Sequence, residues 1–164
     1  MTPKAVEGVY DELVLGYQFS RRVTLTETHL LLGNTLFADS VPLHTDEITG
    51  RESAYGGRIM PGPVVAGLAA VTLGMNLKGA AIGYLEQREY FKAPLFPGDT
   101  VTVTWTVTEK ADKERFNGGV VTFSGSCTNQ HDVVVLECLG VAIITNGMPD
   151  ASQNNASLKG DAPK

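Results

Sequence analysis

Residues 100–108 alternate without a break: Val101, Val103, Trp105 and Val107 fall on one side of an extended chain, Thr100, Thr102, Thr104, Thr106 and Thr108 on the other. Side chains in a strand repeat every two residues, so this predicts a half-buried antiparallel strand with threonines toward water. Val121, Phe123, Gly125 and Cys127 repeat the pattern against Thr122, Ser124, Ser126 and Thr128. The polar stretch 109–119 between them reads as a loop, and Asn129-Gln-His-Asp132 as a further turn. Residues 133–144 read as a longer strand, apolar on both sides, whose outer face needs a cover such as a partner subunit. Upstream, residues 84–91 predict a strand ending at Lys92-Ala-Pro94, followed by a Phe96-Pro-Gly-Asp99 turn.

The pattern before residue 80 is different. Residues 63–77 carry no charge, and Thr72 and Asn76 are their only polar side chains; Pro63 opens the run and Lys78-Gly79 closes it. These are start and stop signals of a helix, about 20 Å long at about 1.5 Å per residue. It is apolar all round and too short to cross a bilayer, so other elements must wrap it. Gly67 and Gly74 weaken it by about 1 kcal/mol each, which predicts close backbone approach at both. Thr24-Leu-Thr-Glu27 has capping-box spacing, and Leu30, Leu31, Leu32, Leu36 and Phe37 supply an apolar face, so a second helix is expected over residues 27–37. Residues 13–19 predict a short strand after an irregular lead-in, and residues 47–57 a helical turn. One buried helix followed by antiparallel strands is an α+β order, and a curved sheet around the helix buries it best.

Composition narrows the class. The 164 residues are 43% hydrophobic and 19% charged, which fits one globular domain over residues 1–147. Residues 148–164 are almost wholly polar and are expected to be a disordered tail. The net charge of −5 opposes a surface that tracks phosphates, so nucleic acid is not an expected partner. The first residues lack a charged-then-apolar leader, which makes cytoplasm the expected location and a membrane an unexpected partner. Cys127 and Cys138 have no zinc-site spacing and read as buried thiols; no metal site is expected.

Asp39-Ser-Val-Pro-Leu-His44 places an acid and an imidazole five residues apart across a stiffening proline, so one loop can bring both into a small pocket. From these residues alone, a solvated acid and a helix-capping histidine are the competing reading. His29 and His131 suit a helix start and a turn better than catalysis. Arg58, Arg88 and Lys92 are available to meet phosphates or to be solvated.

Several short motifs stand in a definite order: Thr-Glu-Thr-His-Leu before the first long helix, Asp39-x-x-Pro42-Leu43-His44, Tyr55-Gly-Gly-Arg-Ile59, Phe91-Lys-Ala-Pro94, Pro97-Gly-Asp-Thr100 and Thr128-Asn-Gln130. In this order, from about residue 24 to 144, the chain resembles the MaoC-like dehydratases and (R)-specific enoyl-CoA hydratases, which have the hot-dog fold. Val41 stands where that family usually has asparagine, Met60-Pro61-Gly62 where it usually has Ala-His-Gly, and Gly67 where some members have serine. Met-Pro-Gly also resembles the helix start of dehydratases acting on acyl carrier protein, but those carry a glutamate on the central helix, and residues 62–77 contain no carboxylate.

The resemblance implies a hydratase or dehydratase acting on a 2-enoyl-CoA or 3-hydroxyacyl-CoA thioester, with Asp39 and His44 handling water and proton. It implies no cofactor, because coenzyme A is part of the substrate. Charge on the thioester oxygen needs a donor, and a helix start supplies N–H groups; Pro61 and Pro63 have none, which leaves Gly62 first and Val64 second. A homodimer, or a higher homo-oligomer of dimers, is the expected assembly. A hot-dog thioesterase and a non-catalytic acyl-CoA-binding module are the alternatives.

Overall fold

Three long strands make the centre of the molecule: β3 (Thr100–Lys113), β4 (Gly118–Thr128) and β5 (Val134–Thr145), flanked by β1 (Gln18–Thr24) and β2 (Ala81–Phe91) in the antiparallel order β1-β3-β4-β5-β2. The structure is a computed structural model that describes residues 9–147. The helices are α1 (Val9–Glu12), α2 (Glu27–Leu36), α3 (Pro42–Thr45), α4 (Glu47–Glu52) and the central α5 (Gly62–Asn76). Val101, Val103, Trp105, Val107, Val121, Phe123 and Cys127 are all buried in the core that also holds Val65, Ala69 and Leu73 of α5, as their alternation predicts. The Trp105 indole donates to the Ala69 carbonyl at 3.0 Å, and Gln87 Nε2 donates to the Ala66 carbonyl at 3.0 Å. Two sheet side chains thus fix the helix along its axis, because each bond is met at one height only.

Several expectations are corrected. The strand expected at residues 13–19 begins at Gln18 instead, because the chain turns at Gly16 (φ +82°), and its inward positions are Phe19, Arg21 and Val23. Residues 109–113 and 118–119 are not loop: they extend the β3–β4 hairpin to a short 3₁₀ turn at Glu114–Phe116. Their polarity hid the ladder. Within that extension Asp112 accepts from the Tyr10 hydroxyl at 2.6 Å, and Lys110 donates to the Tyr10 carbonyl at 2.8 Å, docking α1 in what was expected to be irregular lead-in.

The capping box lies two residues later than expected, at Thr26, whose backbone N–H donates to His29 Nδ1 at 3.1 Å. His29 therefore has the cap role foreseen for it. Of the apolar face expected on α2 only Leu30 is buried, while Leu31, Leu32, Leu36 and Phe37 are exposed. Helix α5 starts at Gly62 rather than Pro63 and is covered on one side only; Val71 and Met75 face outward, and Gly67 and Gly74 have open space where close contacts were expected. The outer face of β5 is less apolar than expected: Glu137 is exposed, and Leu139 and Val141 are half-covered within the chain.

Cys127 and Cys138 are buried free thiols, both pushed up to about 12 by burial. No helix among the described residues is long and apolar enough to cross a membrane. The tail expected at 148–164 and the first eight residues lie outside the described residues.

Candidate active site

Asp39 and His44 are held by the end of one helix and the start of another. Helix α2 closes with the Asp39 N–H donating to the Asn34 carbonyl at 2.8 Å, and the chain then turns into α3, where Pro42 takes the first position. His44 thus lies on a helical turn, not on the loop expected; proline favours that turn because its fixed φ suits a helix start and it lacks only an N–H that would be unpaired anyway. Asp39 Oδ1 accepts from the Val41 N–H at 3.0 Å, which aims Oδ2 at the imidazole. His44 Nε2 and Asp39 Oδ2 are 3.8 Å apart, and both side chains are mostly buried. His44 Nδ1 lies 2.8 Å from the Ile59 carbonyl. A carbonyl only accepts, so in the neutral ring Nδ1 carries the proton and Nε2 keeps its lone pair toward Asp39.

His44 also lines a cavity of about 330 Å³, with Tyr55, Met60, Gly62, Val65, Phe91 and Leu95 among its walls. The start of α5 opens into it. The Gly62 N–H has no acceptor among the described residues, and a Cβ there would come within 3.3 Å of the Phe91 ring. Glycine thus lets Phe91 lie against the helix start while leaving that N–H exposed to the cavity. Val64 is placed differently. Its N–H donates to the Pro61 carbonyl at 3.0 Å, and its side chain packs on Gly33 of α2, outside the cavity. Of the two N–H groups weighed as donors, only that of Gly62 is unshared among the described residues and borders the cavity. Asp39 does not line the cavity wall itself; it reaches the site through His44.

Residues 15–127 match the MaoC like domain family. The chain belongs to the MaoC-like dehydratase family. It is 33% identical to an (R)-specific enoyl-CoA hydratase of Rhodospirillum rubrum, over 77% of this chain and 85% of that protein. It is 27% identical to a 3-hydroxybutyryl-CoA dehydratase of Methylorubrum extorquens, over 70% and 73% of the two chains. Among solved structures, the (R)-hydratase from A. caviae involved in PHA biosynthesis superposes with a TM-score of 0.71 at 26% identity, covering 80% of this chain and 97% of that one. The α+β hot-dog fold is thereby shared.

In this MaoC-like chain the cations weighed for phosphate binding are already engaged. Arg58 bonds Glu27 at 2.9 Å and Glu47 at 2.8 Å, tying the first turn of α2 to α4. The hydrogen bond to Glu47 is the main reason its guanidinium is held above its ordinary pKa, and the same bond holds Glu47 below the usual carboxylate range. Lys92 pairs with Glu137 at 2.8 Å, and Arg88 pairs with Glu86. In the sequence Tyr55 and Phe91 belong to motifs that give neither a place in the site. No spacing signal links them to His44, because the cavity is assembled from three separate segments. Among the described residues no group of three or more His, Cys, Asp or Glu side chains gathers to hold a metal ion.

Proposed function

We propose that the chain is a hydro-lyase that adds water to a 2-enoyl-CoA thioester, or removes it from a 3-hydroxyacyl-CoA, with Asp39 and His44 activating the water. The observation that carries this reading is the 3.8 Å separation of His44 Nε2 and Asp39 Oδ2. That gap is too long for a direct hydrogen bond and suits one water held by both acceptors. As the water oxygen bonds to C3, one of its protons passes to Nε2, and the imidazolium returns a proton to C2, so the sum is one water across the double bond. Asp39 accepts the second O–H and stabilises the transient imidazolium. The thioester oxygen gains negative charge in this step, and the unshared N–H of Gly62 at the start of α5 is the donor placed to receive it. The chemistry needs no cofactor beyond the coenzyme A carried by the substrate.

The site is proposed to work in a homodimer. β2 is an edge strand with Tyr84, Leu85, Tyr90 and Phe91 exposed, and α5 leaves Val71 and Met75 uncovered beside it. An unpaired edge of 11 residues with apolar side chains is open to pairing with a second copy. Light scattering at micromolar concentration should give the dimer mass, and a monomer mass would refute this assembly.

The reaction is tested with crotonyl-CoA, following enoyl absorbance and free thiol together. Loss of absorbance without thiol release is expected. Thiol release in step with it would make the protein a thioesterase, and no change in either would leave a binding module.

A further inference from the structure

We propose that Asn34 is a positioning residue that sets the separation of Asp39 and His44; this rests on reading that pair as the water-activating site. One side chain and its own backbone hold both ends of the Asp39–His44 segment. At one end α2 closes with the Ala38 N–H on the Thr35 carbonyl at 3.3 Å and the Asp39 N–H on the Asn34 carbonyl at 2.8 Å, the paired bonds of a Schellman motif. Asp39 is the residue that this closure fixes. At the other end Asn34 Nδ2 donates to the His44 carbonyl at 3.3 Å. Asn34 thus bonds to the backbone of both functional residues, while the Ile59 carbonyl orients the His44 ring itself.

The chemistry of Asn34 argues against a packing role. It is only 8% exposed, on the same helix as buried Leu30, and its Oδ1 has no hydrogen-bond partner among the described residues. A buried amide with half its bonding unmet is a poor way to fill space, since an apolar side chain of like size would carry no such desolvation cost. What the amide supplies, and leucine cannot, is the link to His44. Within the segment the His44 N–H donates to the Val41 carbonyl at 2.9 Å, but that bond is internal to the turn; the Asn34 amide is what ties the His44 end back to α2.

The test compares wild type with Asn34→Leu, which is apolar and similar in size, and Asn34→Asp, which keeps the backbone bond but loses the Nδ2 donor. Hydration of crotonyl-CoA is measured alongside the ¹⁵N–¹H correlations of the His44 ring. Both variants should lower kcat by about 10-fold to 100-fold with KM within about 2-fold, the scale expected when catalytic groups are misplaced by a fraction of an ångström. Both should also displace the His44 ring signals while circular dichroism stays that of the folded protein. A merely structural residue would shift melting without moving the ring signals. The proposal is overturned if the folded variants keep wild-type kcat and ring signals, or if neither variant folds. Absence of hydration in wild type would instead count against the reaction assigned above, and the ring signals would still decide whether Asn34 places the imidazole.

Discussion

Strands β3 and β4 bury Val101, Val103, Trp105, Val107, Val121 and Phe123 almost completely, whereas the segment between β1 and α5 leaves Leu31, Leu32, Leu36, Phe37, Val41 and Ile48 exposed. The first region is stabilised by area removed from water. The second is held by directed bonds: Asn34 to His44, His44 to Ile59, and Arg58 to Glu27 and Glu47. Burial is non-directional and sums over many atoms, so it makes a rigid floor. Directed bonds contribute less stability each but set positions, which is what a site with a 3.8 Å gap requires. The two regions should therefore fail differently, the sheet by unfolding and the segment by losing activity while folded.

The largest effect is expected in the sheet. Trp105→Ala removes a fully buried indole and its bond to the Ala69 carbonyl, and should cost about 3–5 kcal/mol in chemical denaturation. A cost under about 1 kcal/mol would mean that the sheet does not carry the stability assigned to it. Next in size, His44→Ala and Asp39→Asn should each reduce crotonyl-CoA hydration about 100-fold or more, with little change in melting temperature. The double variant should lose little beyond either single one, since the pair acts on one water. Near-wild-type turnover in His44→Ala would place the chemistry elsewhere.

The same division explains what the sequence disclosed. Where one face is buried and the other wet, alternation is unavoidable, so Val101 to Val107 and Val121 to Cys127 are legible residue by residue. β1 was placed too early because Arg21 and Arg22 interrupt its apolar pattern, and the β3–β4 hairpin was cut short because its tip pairs through backbone alone. Periodicity counted the leucines of α2 without telling which ones meet the sheet. Asp39 and His44 stand out as candidates by their spacing and by the resemblance, but Asn34 does not: a lone asparagine in an apolar helix gives no signal until its distant carbonyl partner is known. A sequence likewise does not show that Pro61 accepts from the Val64 N–H while the Gly62 N–H stays unshared among the described residues.

Alkaline pH separates the regions in a third way. The Cys127 and Cys138 thiols lie under the sheet and are raised by burial from 9.0 to about 12. Burial and the bond to Asp112 also raise Tyr10 from 10.0 to about 12. The folded chain holds these protons to higher pH than the unfolded chain does. Their stabilisation is complete below about pH 9 and is lost as pH rises toward 12. Urea midpoints should fall steadily over that window, and Cys127→Ala should flatten the first part of the fall. A midpoint unchanged from pH 8 to 11 would contradict the sheltered thiols.

The smallest effect belongs to Ala38, where the segment bearing the site leaves α2. Ala38 has φ +52°, in the left-handed region that L-residues other than glycine, asparagine and aspartate seldom adopt. Its position is the one after the C-cap, Phe37, where helices most often place glycine. Ala38→Gly removes the steric cost but gives the unfolded chain more freedom, worth about 0.4–1 kcal/mol against it. The strain removed is of order 1–2 kcal/mol, so a net gain between about 0 and 1.6 kcal/mol is expected. Because glycine enters the same conformation freely, the Asp39 N–H keeps its bond to the Asn34 carbonyl, and hydration turnover should stay within about 2-fold of wild type. A gain in stability with activity kept would place the strain in the backbone turn alone. A loss of activity despite higher stability would instead mean that the Ala38 methyl helps to hold Asp39, and that the segment is tuned by packing as well as by directed bonds.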